Sequence, residues 1–85
     1  MYSLKFSEQA LEDLQYFARS EPKLYKKARK LLEELQSHPT TGSGKPEQLR
    51  QNLAGKWSRR VNREHRLVYE IGGDTVKIFA ARYHY

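Results

Sequence analysis

Tyr2, Leu4 and Phe6 alternate with Ser3 and Lys5, a period of two that predicts a short strand at the start of the chain. At Ser7 the period changes. Ala10, Leu11, Leu14, Phe17 and Ala18 follow at the spacing of an amphipathic helix, with Ser7 able to cap it and Glu8 well placed in its first turn. Ser20-Glu21-Pro22 breaks this helix and begins another, because a proline in the first turn lacks only an N–H that would go unused. The second helix gathers Leu24, Ala28, Leu31, Leu32 and Leu35 on one face and Lys23, Lys26, Lys27, Arg29 and Lys30 on the other. Ser37 to Pro46 then reads as a loop rich in Ser, Thr, Gly and Pro.

Three β-like runs complete the pattern. Lys56 to Val61 sets Trp57, Arg59 and Val61 on one face against Lys56, Ser58 and Arg60 on the other. Asn62-Arg63-Glu64 is a turn. His65 to Ile71 aligns Leu67, Tyr69 and Ile71, with Arg66, Val68 and Glu70 opposite; His65 shares the apolar parity and is expected to pack. Gly72-Gly73-Asp74 makes a tight hairpin, and Thr75 to Arg82 returns. The order β-α-α-β-β-β predicts an α+β fold, a small and mostly antiparallel sheet with both helices packed on one face. Arg60 and Arg66 then point to the open face. The last run is apolar at both parities, so alternation leaves the face of His84 undecided. A strand carried to the end would deliver His84 and Tyr85 to the rim of the fold.

Size and composition narrow the classes. Eighty-five residues make one domain, 1–85, and 38% hydrophobic content allows only a thin core. The absence of cysteine excludes disulfides and thiolate zinc sites and suits a reducing cytoplasm. No stretch is long and apolar enough for a bilayer, so no membrane partner is expected. A net charge of +6 favours a polyanion, nucleic acid first. Three scattered histidines lack ligand spacing, so no metal or other cofactor is expected.

Four clusters could carry chemistry: Lys45-Pro46-Glu47, Arg59-Arg60, Glu64-His65-Arg66 and the terminal His84-Tyr85. Cleaving RNA without a metal needs a base for the 2′-hydroxyl, an acid for the departing 5′-oxygen and a cation for the charge on the phosphorane. A carboxylate or imidazole can serve as base, an imidazole or phenol as acid, and a guanidinium can bind two phosphate oxygens at once. Each cluster taken singly is also compatible with a solvated loop acid, a protected strand edge or an idle terminus.

Together the stretches Gly44-Lys45-Pro46-Glu47, Asn52 to Val61, Glu64-His65-Arg66-Leu67-Val68-Tyr69 and Ala80 to Tyr85 resemble the YoeB (Txe) toxins of type II toxin–antitoxin systems, within the RelE-like superfamily. The resemblance covers essentially the whole chain. It implies a ribosome-dependent mRNA endonuclease acting in the decoding site, and an antitoxin of the YefM kind that also mediates any contact with operator DNA. It assigns Glu47 as general base, His84 as general acid, Arg66 as stabiliser of the phosphorane and Tyr85 as an orienting group. Lys45, Arg50, Arg59 and Arg60 become RNA contacts, with Arg at position 50 where the family pattern suggests Lys. A homodimer is a further implication. Two rivals stay open: a non-cleaving relative that poisons DNA gyrase, and a plain nucleic-acid-binding module.

Overall fold

Ser7 fixes the first junction of the chain. Its Oγ accepts the Ala10 N–H at 3.0 Å and donates to the Phe79 carbonyl at 2.9 Å, so one side chain caps a helix and ties it to the last strand. The computed structural model describes residues 1–82. In chain order it contains β1 (Ser3–Phe6), α1 (Glu8–Ser20), α2 (Pro22–Leu35), β2 (Glu47–Gln48), a 3₁₀ turn (Gln51–Leu53), β3 (Lys56–Arg60), β4 (Arg66–Gly72) and β5 (Thr75–Ala80). Proline opens α2 as its fixed φ favours.

The sheet runs β1-β5-β4-β3-β2. Neighbours are antiparallel except β1, which lies parallel to β5 with Leu4 opposite Val76 and Phe6 opposite Ile78. Both helices cover one face. Ala10 and Phe17 from α1 and Ala28, Leu31 and Leu35 from α2 meet Leu67, Tyr69, Val76 and Ile78 of the sheet, all at most 2% exposed. Each large side chain so buried contributes roughly 1.5–3 kcal/mol of transfer free energy. His65 packs as its parity predicts, 5% exposed with its ring 5.2 Å from that of Phe17.

The structure adds and corrects several details. Glu47, read as a loop acid, belongs to a two-residue strand. The last strand stops at Ala80 rather than Arg82. Its mixed parity has a cause: Tyr69 pairs with Ile78 and Val68 with Ala80, so Phe79 is the extra residue of a β-bulge. The face turned away from the helices is also less bare than alternation suggests, because Ser58 and Val68 in its middle are 0% and 8% exposed.

Candidate active site on the outer sheet face

Glu47 reaches its place through backbone pairing. It stands opposite Ser58 of β3, which stands opposite Val68 of β4, while Arg60 stands opposite Arg66. Glu47, Ser58, Arg60 and Arg66 therefore share the outer face. The Arg66 Nη1 donates to Glu47 Oε1 at 2.9 Å and to Ser58 Oγ at 3.2 Å. The Glu47 side chain is 58% exposed and that of Arg66 21%. A pair this wet contributes only about 0–1 kcal/mol to stability. Its arrangement places a proton acceptor and an anion binder within reach of solvent at one spot. Ser58, which the sequence reading did not single out, aims the guanidinium. The available signal was a small hydroxyl between Lys56 and Arg60 at their own parity.

Lys45 and Arg60 are neighbours across the sheet edge. The Arg60 N–H donates to the Gly44 carbonyl at 2.7 Å, and both flanking side chains are exposed. Gly44 has φ +82, and a Cβ there would stand 2.9 Å from the Arg60 carbonyl oxygen, so this contact requires glycine. Arg50 is exposed where the chain leaves β2 for the 3₁₀ turn. Arg60 stands opposite Arg66, and Lys45 and Arg50 lie two residues before and three residues after Glu47. Among the described residues no group of three or more His, Cys, Asp or Glu side chains could hold a metal ion.

Arg59 is a correction. Expected to grip phosphate, it is fully buried, and each of its guanidinium nitrogens is already engaged. Nε donates to the Tyr69 hydroxyl at 3.1 Å, and Nη1 to Glu34 Oε1 at 3.2 Å and to the Ser43 carbonyl at 3.3 Å. Nη2 donates to the carbonyls of His38 and Thr41. The loop from Ser37 to Pro46 is thus wrapped around one guanidinium, and Tyr69 closes the cage by donating to the Pro39 carbonyl at 2.7 Å. The Ser43 N–H bonded to Glu34, followed by the nearby Arg59 charge, holds that carboxyl below its ordinary range despite partial burial. Burial pushes the Tyr69 phenol up, with Arg59 pulling the other way. Trp57, on the same parity, packs half-buried against the core.

His84 and Tyr85 lie outside the described residues. What leads to them is defined. Asp13 of α1 is 3% exposed; its Oδ2 accepts the backbone N–H groups of Ala81 at 2.9 Å and Arg82 at 3.1 Å, and its Oδ1 accepts from Gln9 at 2.8 Å. The Arg82 guanidinium rests 3.5 Å above the Tyr16 ring. Past β5 the chain is therefore fastened to α1 by a buried carboxylate. Sequence reasoning passed over Asp13, although a carboxylate three residues after Ala10, on the apolar stripe, was the available sign.

Comparison with known proteins gives the chain a family and shows the same fold in solved structures. A family model described as the YoeB-like toxin of bacterial type II toxin–antitoxin systems matches residues 6–85. The chain is similar to toxin YoeB of Escherichia coli K12, 43% identical over 82 residues that make up 96% of this chain and 98% of the relative. It is also similar to two solved structures from Staphylococcus aureus. One is a YoeB dimer, with TM-score 0.89, 44% identity and coverage of 99% and 98% of the two chains. The other is a YoeB–YefM complex, with TM-score 0.88, 43% identity and coverage of 100% and 99%.

Proposed function

The chain belongs to the YoeB-like toxins of bacterial type II toxin–antitoxin systems, and from that premise we propose that it is a ribosome-dependent mRNA endoribonuclease, one catalytic domain over 1–85. The observation that carries this reading is the solvent-reachable Glu47–Arg66 pair, aimed by Ser58, with Arg60 opposite Arg66 on the same face. An RNA phosphate arriving there competes for the Arg66 guanidinium and frees the carboxylate beside it.

The reaction we infer joins those groups to His84 and Tyr85, whose roles come from the family resemblance. Glu47 takes the proton of a 2′-hydroxyl as its oxygen attacks the adjacent phosphorus. Arg66 faces the negative charge on the phosphorane. The P–O5′ bond then breaks, His84 gives its proton to the departing 5′-oxygen, and Tyr85 orients the substrate. A 2′,3′-cyclic phosphate remains, which water can open to a 3′-phosphate. Lys45, Arg50 and Arg60 hold neighbouring phosphates, and Arg59 is left out because its donors are spent inside the fold. Acid–base groups of this kind supply about 10²–10⁴ each, and a preorganised cation on the order of 10²–10³. The ribosome supplies the alignment of the mRNA in the decoding site, which removes an entropic cost from the chain's own task.

The partners of the relatives extend the reading. By likeness to the Staphylococcus aureus complex, a YefM-type antitoxin binds the protein; by likeness to the dimer, two copies associate. The protein acts in the cytoplasm, and no helix among the described residues is long and apolar enough to cross a membrane. The test is expression of Glu47→Ala and His84→Gln. Growth arrest and cleavage of ribosome-bound mRNA, mapped by primer extension, should disappear while circular dichroism stays native. Full toxicity in either folded variant removes the mechanism.

A further inference from the structure

Two residues along the strands from Glu47 and Ser58, the outer face carries a second row. Lys56 of β3 stands opposite Glu70 of β4, Glu70 opposite Lys77 of β5, and Lys77 beside Lys5 of β1. Lys5 and Lys77 are exposed, Lys56 and Glu70 half-buried. Phe79, the bulge residue, sits among them with the Lys56 Nζ 4.8 Å and the Lys77 Nζ 5.1 Å from its ring centroid. The alternation of the strands turns such residues outward, and the bulge adds a ring where a regular strand would carry none.

From this juxtaposition we propose that Phe79, flanked by Lys56 and Lys77, is a second RNA subsite that binds a nucleotide beside the scissile linkage, its base on the ring and its phosphates on the two ammonium groups. Lys5 extends the same row toward the sheet edge. The proposal rests on the reading of Glu47 and Arg66 as the cleavage site and names where the rest of the strand runs. Two residues of strand separate the rows by about 6.7 Å, of the order of one nucleotide step in an extended single strand. An aromatic face accepts any base, and lysines placed to either side of it meet the backbone. In the free protein the ammonium groups rest against the ring. A base stacking there displaces them toward the phosphates, so the cations are already stationed where they are needed.

The test uses the full-length protein and a fluorescent single-stranded RNA oligonucleotide with 2′-O-methyl groups throughout, which binds without being cut. In Lys56→Ala/Lys77→Ala the salt dependence of binding should flatten by about 1.4 in log–log slope, two single-strand phosphates' worth. Phe79→Ala should weaken affinity on the order of 10-fold, while Phe79→Tyr keeps it. Lys23→Ala/Lys26→Ala, an equal loss of charge on α2, should leave the slope closer to that of the unaltered protein. Melting curves confirm that each variant is folded, and Phe79→Leu, which keeps the bulk without the ring, stands in for the alanine variant if that one unfolds. A slope no flatter in Lys56→Ala/Lys77→Ala than in the α2 variant, or RNA affinity intact in folded Phe79→Leu, overturns the subsite. So does a loss confined to binding of an acidic antitoxin peptide. The cleavage reading is judged separately, by primer extension on ribosome-bound mRNA with Glu47→Ala and His84→Gln. If they still cleave, that reading falls and the subsite stands.

Discussion

Arg59 with Glu34 and Arg66 with Glu47 are the same chemical pair, each joined through one Nη1, at 3.2 Å and 2.9 Å. Their surroundings differ in every other respect. Arg59 is sealed beneath a loop, its charge distributed over three carbonyls, a phenol and a carboxylate, so that almost any change leaves something buried and unpaired. Arg66 touches one wet carboxylate and one hydroxyl, and its remaining donors can turn to something new. Separation within a pair therefore says little about purpose. Whether water, or an anion replacing water, can reach the guanidinium says much more.

The largest expected effect breaks the buried member. Arg59→Ala strands Glu34, the Tyr69 hydroxyl and the loop carbonyls, and should cost roughly 3–5 kcal/mol in chemical denaturation. The corresponding drop in Tm is on the order of 15 °C or more. A loss of under about 1 kcal/mol would mean that the cage is decoration. A smaller effect comes from acid. The Glu34 carboxyl is held below its ordinary value, so the folded state binds its proton less readily than the unfolded chain does. Its contribution is present at neutral pH and is lost as pH falls from about 4.5 through the lowered pKa. Urea midpoints measured from pH 7 downward should fall more steeply over that window in the unaltered protein than in Glu34→Gln; identical curves would contradict the assignment. The smallest structural effect belongs to the exposed pair. Glu47→Gln should shift stability by no more than about 0.5 kcal/mol, even as cleavage is lost. A large destabilisation there would turn the outer pair into a second structural staple and dissolve the contrast.

Arg59 also shows what the chain discloses by itself. Alternation had already put it with Trp57 and Val61 on the covered side; residue type argued for the surface, and the periodicity was the better guide. Ser7, Pro22 and the Leu stripes of both helices were legible because caps and amphipathic faces are local signals. Arg66 and Arg60 on the outer face followed from the same period-two reading. The parallel pairing of β1 with β5 had no such signal, since a register between segments some seventy positions apart is set by packing around the whole core. The bulge at Phe79 was visible only as a contradiction, an apolar run with two parities. Glu47 beside Arg66 needed the fold as well: nothing in either segment says that a two-residue strand will bring them together. Asp13 could have been noticed as a carboxylate on an apolar stripe, but its partners, two backbone amides near the far end, could not.

The place of β5 between β1 and β4 has a consequence for the birth of the molecule. The first strand to leave the ribosome exit tunnel must wait for the last, and Asp13 for amides made 68 and 69 positions later. Until Ala81 and Arg82 have been made, a nascent copy holds neither β1 in the sheet nor the Asp13 fastening. A growing chain thus keeps that edge of its sheet unassembled until β5 and the two amides after it have emerged.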